Sequence, residues 1–393
     1  MPTPTWVWQT ARWPHFTFDT ARLIEPSNRA RDAAGQLRGK AEAIGAEDLK
    51  LLQADVWSQS AVATAAIEGE TLDMAAVRSS VAGRLGILGT PEVPVPRHID
   101  GLLEVMNDAA THWQQELTEA RLIEWQALLF PDGRSGWHTV ETGTYRTQGD
   151  PMQVVSGPAG REVVHYSAPP AAAVRAEMRS FLDWFNRTQE TRELDGILRA
   201  GIAHLWFESI HPFSDGNGRL GRAIIDRAIS QEMRAVSRLQ GTSMGLHREQ
   251  RAYYEALNTA QRGTGEITGW LTWFSNAFCN ACRASIVLID EALERARFWS
   301  EHSQVDLNAR QRKALNRMLV AGPKRFEGGM TTRKYAALNK STHITSNRDL
   351  VDLVAKRLLV RDGRGRSTYY NLTIPGWGWQ PARPASNGSN SGR

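Results

Sequence analysis

Apolar residues recur at helical spacing along most of the chain. Between Glu47 and Gly69 they fall at Leu49, Leu52, Val56, Val62, Ala66 and Ile67, which predicts a helix closed by Gly69, since glycine accepts the left-handed conformation common just past a helix end. A second helix is expected over 72–85, then a proline-punctuated linker over 89–97. Further helices are expected at 98–113, 115–130 and 170–187. Apolar positions at 194, 197, 198, 202, 205, 206 and 210 predict an amphipathic helix that stops at Ile210, and 220–234, 248–261 and 268–300 fit helices as well. The period changes between 143 and 168. Val154-Val155 and Val163-Val164-His165-Tyr166 are β-type runs flanking Ser156–Glu162, which predicts a hairpin. Residues 1–20, rich in Trp and Phe, read as an extended arm docked on the core, and the last seven residues read as a flexible tail.

With 393 residues, two or three domains are expected. No run of 18 apolar residues occurs, so no membrane-spanning helix is expected, and the first residues do not read as a signal peptide. Two cysteines exclude a disulfide framework, and a cytoplasmic setting is expected. Cys279 and Cys282 form a C-x-x-C, but they fall inside a long apolar-periodic stretch with no second pair, so they read as ordinary helix cysteines. Charge is unevenly spread. Residues 307–372 hold 15 Lys and Arg against 4 Asp and Glu, a balance of +11 in a chain whose net charge is +5. A basic module is attached to a mildly acidic body.

The densest chemistry lies in His211-Pro-Phe-Ser-Asp-Gly-Asn-Gly-Arg-Leu-Gly-Arg222. A helix ends at His211, a Gly/Asn loop follows, and a new helix opens near Arg219. Gly216, Asn217 and Gly218 tolerate left-handed backbone, so successive N–H groups can turn inward and form an anion nest at a helix N-terminus. Arg219 and Arg222 can clamp further phosphate oxygens, Asp215 offers an oxygen to Mg²⁺, and His211 suits proton abstraction from a hydroxyl. The same stretch contains G-x-G-x-x-G, but the segment before it is helical, so a dinucleotide fold is excluded.

This stretch resembles the Fic signature HxFx[DE]GNGRxxR at every fixed position. The resemblance implies a mainly α, Fic-fold helical core with a β-hairpin flap that docks target segments by β-augmentation. It implies AMP transfer from ATP to a Ser, Thr or Tyr hydroxyl of a protein target, with His211 as base and Asp215 on Mg²⁺. Phe213, Gly216, Asn217, Gly218, Arg219 and Arg222 form the nucleotide-binding stretch, Phe213 as its core anchor and Arg222 on the γ-phosphate. Tyr253 and Tyr254 resemble part of an adenine pocket. Thr64-Ala-Ala-Ile-Glu68-Gly69 resembles the family's inhibitory-helix pattern [ST]xxxE[GN], with Glu68 expected to occupy Arg222; Ala65-Ala66 stand where family members often carry Ser-Ser. The implied division is an N-terminal inhibitory domain at 1–96, the catalytic core at 97–300, a C-terminal module at 301–375 and a tail at 376–393. A nucleotide-sensing regulator, removal of AMP, and transfer of UMP or phosphate stay open.

The basic module is expected to contain helices at 308–320, 331–338 and 342–357 and a hairpin over Leu359–Leu372, an order resembling a winged helix-turn-helix. Thr345 and Arg348 are expected to meet base edges of duplex DNA, and Arg364 and Arg366 on the wing its phosphates. A protein-docking module is the alternative. Self-modification and a homodimer stand among the expected partners, and no membrane does.

Overall fold

The computed structural model describes residues 6–87, 93–147, 152–156, 163–234 and 238–380, apart from the Arg366 side chain. Backbone contacts divide the chain into two compact units, Met1–Val287 and Leu288–Arg393. The sequence-based expectation separated 1–96 from the core, whereas the N-terminal helices share one unit with it.

In the first unit, α1 spans Thr20–Glu42, α2 Ala46–Ile67, α3 Met74–Leu85, α4 Arg97–Thr111 and α5 Glu119–Leu129. Two short strands follow, β1 (Arg134–Ser135) and β2 (His138–Thr139), and then the hairpin of β3 (Gln153–Ser156) with β4 (Val163–Ser167). The remaining helices are α6 (Ala171–Thr191), α7 (Gly196–Ile210), α8 (Asn217–Met233), α9 (Thr242–Arg248), α10 (Gln250–Gln261) and α11 (Thr268–Glu301), the last running on into the second unit. Every residue of α7 is buried. A helix enclosed on all sides needs no polar face, and α7 is accordingly the axis around which the unit is built. Asp195 caps its N-terminus, accepting hydrogen bonds from the amides of Ile197 and Leu198. Helices α8, α6, α1 and α10 pack against it, and α2 packs on α3, α4, α8 and α9.

The hairpin is antiparallel, with Val154 opposite Tyr166 and a register shift after Val154. Its expected turn falls on 157–162, outside the described residues, as do linker positions 89–92 and the 387–393 tail. The N-terminal arm docks as expected but coils through a short 3₁₀ turn at Val7–Gln9. Trp6 meets Tyr166 edge-on at 5.3 Å, and Trp8 Nε1 donates to the Ser167 carbonyl at 2.7 Å, so the arm braces β4. Helix α1 was not expected. Its buried side is Leu23, Pro26, Ser27, Ala30, Ala33, Ala34, Leu37 and Ala41, mostly small residues that give little hydrophobic signal. Cys279 and Cys282 are free, buried helix residues, as their surroundings implied. No helix among the described residues is long and apolar enough to cross a membrane.

In the second unit, α12 (Ala309–Ala321), α13 (Thr332–Asn339) and α14 (His343–Ala355) precede β5 (Leu359–Asp362) and β6 (Tyr369–Leu372), which pair antiparallel. The end of α11 enters this unit's core, where Phe298 joins Leu315, Leu319, Leu350, Leu353 and Tyr370. That packing explains why the unit boundary falls inside α11 and not after residue 300.

Candidate functional site

The α7–α8 junction brings the signature together. His211 is the C-terminal cap of α7 in a left-handed conformation, φ 51° and ψ 60°, and its amide donates to the Phe207 carbonyl at 3.0 Å. That turn ends the helix and redirects the chain. Asn217 then closes the loop on itself. Its Oδ1 accepts from the Phe213 amide at 2.9 Å and its Nδ2 donates to the Phe213 carbonyl at 2.8 Å. Phe213 is fully buried, 5.3 Å from the Tyr145 ring. Both residues therefore shape the glycine loop from beneath and offer it no accessible side chain. Gly216 at φ 90° caps α8, a conformation that a side chain would strain, and Gly218 opens its first turn. Truncating Phe213 to Ala should destabilise the fold by about 3–5 kcal/mol, because the ring fills a closed site. An unchanged denaturation midpoint would contradict that.

Arg146, just before the hairpin, fixes this turn from outside. Its Nε donates to the His211 carbonyl at 2.8 Å, its amide to the Pro212 carbonyl at 2.9 Å, and its Nη2 to the Pro169 carbonyl just beyond β4. Both ends of the hairpin are thereby tied to the cap of α7. No sequence signal singled Arg146 out.

Arg222 is 2% exposed and points at α2. Its Nη2 donates to Glu68 Oε1 at 2.7 Å and to the Thr64 carbonyl at 3.0 Å, and its Nε donates to Thr64 Oγ1 at 2.6 Å. Burial opposes its charge, but Glu68, Tyr253 and Glu208 together keep its pKa above the usual value. Gly218 lets the carboxylate in, because a Cβ there would stand 2.2 Å from Glu68 Oε1. Glu68 caps α2 and Gly69 follows at φ 78°, as the helix-end reading required. Arg219 has a different partner. It donates to Glu70 Oε2 at 3.0 Å, lies 3.7 Å from Asp215 Oδ1, and covers the Phe130 ring at 4.8 Å. The two arginines therefore diverge to two glutamates, and Glu70 is a contact that the sequence pattern did not mark.

Asp215 is partly exposed and accepts from the Gly216 amide at 2.6 Å. No cluster of three or more metal-binding side chains occurs among the described residues. One accessible carboxylate beside a phosphate loop is the donor set that suits Mg²⁺ arriving with a nucleotide. The two tyrosines part company. Tyr253 is buried and its hydroxyl meets His204 Nε2 at 2.8 Å, whereas Tyr254 is 37% exposed and donates to the Ile67 carbonyl at 3.0 Å. Of this pair only Tyr254 has a face open to a ligand. Burial pushes His211 down to about 4, opposed by the Glu208 main-chain carbonyl and by Glu68 and Asp215, with Arg146 adding to the depression.

Residues 116–229 match the Fic/DOC family. The chain carries a Fic domain. Residues 6–87, which include Glu68, match a domain of unknown function (DUF4172). The protein adenylyltransferase Fic of Nematostella vectensis is 26% identical over 245 residues, 59% of this chain and 50% of that protein. A probable protein adenylyltransferase of Aquifex aeolicus is 32% identical over 98 residues, 25% of this chain and 27% of that protein. The chain thus spans half or less of the length of these curated relatives. A crystal structure of a Fic family protein from Desulfovibrio desulfuricans G20 superposes with a TM-score of 0.54 at 20% identity, covering 92% of this chain and 99% of that one, which supports the shared fold.

In the second unit the expected nucleic-acid residues are only partly presented. Arg348 and Arg364 are exposed. Thr345 is half-buried; its amide donates to Thr342 Oγ1 at 3.2 Å, and its Oγ1 accepts from the Thr342 hydroxyl at 3.0 Å. The outward stripe of α14 carries His343, Asn347 and Val351. With Arg333, Lys334 and Arg361 they line a groove of about 990 Å³.

Proposed function

We propose that the chain transfers AMP from ATP to a Ser, Thr or Tyr hydroxyl of a protein, and that Glu68 restrains the transfer by occupying Arg222. The observation that carries this reading is the junction itself: a histidine cap, a glycine loop opening a helix, an exposed carboxylate and a buried arginine within twelve residues. The loop amides and the positive end of α8 suit phosphates, and His211, kept neutral by burial, can take the proton of an attacking hydroxyl. Asp215 would hold Mg²⁺, which neutralises charge on the nucleotide's phosphates. The Arg222 guanidinium, once free of Glu68, presents its fork to the γ-phosphate. The names of the curated relatives support nucleotide transfer of this kind. Incubating the Glu68→Gly chain with α-labelled ATP, UTP, GTP and CTP in a lysate tests it. Label from ATP on protein is the expected result. Label from UTP alone points to UMP transfer, and loss of label from pre-modified protein to AMP removal. ATP binding with no label transferred points to a nucleotide sensor.

For the second unit we propose contact with duplex DNA through the groove between α13, α14 and the β5–β6 wing, because its lining carries three cationic side chains and His343 and no carboxylate. The full-length chain should bind a labelled duplex with affinity that falls steeply with salt, and Arg361→Ala should weaken all sequences alike. Anisotropy that is flat at low salt would assign the groove to a protein partner.

A further inference from the structure

The buried face of α7 next to the base is polar in a way the reaction above does not yet use. His204, Glu208 and His211 follow one another at helical spacing on one side of the helix. Each has a ring or carboxyl atom that is buried without a hydrogen-bond partner: His204 Nδ1, Glu208 Oε1 and His211 Nδ1. Such atoms are rare in a well-packed interior and call for a role. The other Glu208 oxygen, Oε2, lies 3.9 Å from His211 Nδ1. Room for the carboxyl is provided by Gly221 on α8, where a Cβ would stand 2.4 Å from Glu208 Oε1 and 2.9 Å from His204 Nδ1. His204 is itself pinned by the Tyr253 hydroxyl, so the far wall of this pocket is fixed.

Resting on the transfer reading above, we propose that Glu208 is a positioning residue for His211: its side-chain carboxyl accepts the Nδ1–H and thereby presents the Nε2 lone pair to the attacking hydroxyl. The 3.9 Å gap closes by a small rotation of either side chain, as hydrogen bonds between catalytic groups often tighten only when substrate is bound. In the transfer, the hydroxyl oxygen bonds to the α-phosphorus and the bond from that phosphorus to the pyrophosphate oxygen breaks, its electron pair leaving with pyrophosphate. The hydroxyl proton goes to Nε2, and Nδ1 keeps its own. The imidazolium so formed is a buried cation close to Arg146, and an ionised Glu208 is what offsets it.

The competent form therefore holds His211 neutral and Glu208 ionised. Burial pushes the Glu208 carboxyl up to about 8, with Glu68 from α2 adding to the rise and Arg222 from α8 opposing it. The other titratable and charged neighbours are His204 on the same helix, Tyr253 and Tyr254 on α10, and Arg146 and Asp215 around His211. The two groups titrate as a pair, and the rate follows the carboxyl's ionisation, rising with pH across the neutral range.

The test uses the full chain carrying Glu68→Gly, with and without Glu208→Gln, supplied with α-labelled ATP and Mg²⁺ between pH 6 and 9. Beside it, ¹⁵N-histidine NMR of the unsubstituted chain reads the His211 tautomer, the signal being assigned by its loss in His211→Ala. Glu208→Gln should lower kcat roughly tenfold to a hundredfold with little change in the KM for ATP, a cost usual for residues that orient a reacting group. It should also flatten the rise of rate with pH. The His211 ring should carry its proton on Nδ1. An unchanged pH profile in Glu208→Gln, or a ring protonated on Nε2 in the unsubstituted chain, overturns the proposal. Should Glu208→Gln fail to fold, Glu208→Asp takes its place, since it keeps the charge but shortens the reach to Nδ1, and an unchanged kcat and pH profile there overturns the proposal. Should the parent transfer no AMP, the functional reading falls, and a ring protonated on Nε2 still overturns the role given to Glu208.

Discussion

Replacing His211 with Ala should reduce AMP transfer by about 10²–10⁴-fold, the usual cost of losing a general base. ATP binding should change by no more than a few-fold. The proposed function assigns the imidazole a proton and no phosphate, and gives the phosphates to the loop and to α8. The backbone that displays those groups is fixed by Asn217 bridging Phe213 and by Arg146 on the His211 carbonyl, neither of which uses the ring. Labelled-AMP incorporation and nucleotide titration by calorimetry, run on the same preparation, separate the two effects. Equal loss of binding and transfer would mean that His211 holds the nucleotide, and undiminished transfer would remove it from the chemistry.

Glu68→Gly should raise self-modification at least tenfold. The Glu68–Arg222 pair is two-thirds to fully enclosed, and removing one member of such a pair leaves the other ready for an anion. Arg222 keeps its two bonds to Thr64, so it stays oriented when the carboxylate is gone. Glycine is also suited to the position just before Gly69, so the end of α2 should hold its course. Rates compared at saturating ATP isolate the effect, and a variant no faster than its parent would exclude an inhibitory role for Glu68.

The parts of this site that the sequence shows are those that chemistry forces into one short segment. His211, Asp215, the glycines and both arginines are within twelve residues because a helix cap, a loop and a helix start are contiguous by nature. Glu68 was legible only because the end of a helix carries a compact pattern. Arg146 and Glu70 were not, since each contacts a partner that tertiary packing supplies: a main-chain carbonyl and a guanidinium from another helix. The same reason hid α1, whose buried stripe of alanines and small polar residues is invisible to a search for large apolar ones.

The left-handed turn at His211 bears on how such a protein can change through time. At φ 51° and ψ 60°, asparagine and glycine are at ease, while valine, isoleucine and threonine are not. A single drift from His to Asn at this cap would keep α7, the loop and the nucleotide cradle in place and remove only the base. On the proposed function, the scaffold is thus one substitution away from a nucleotide-holding relative with no transfer chemistry. Descendants that lost activity by this route would still fold, and would be recognised by an intact glycine loop following an altered cap.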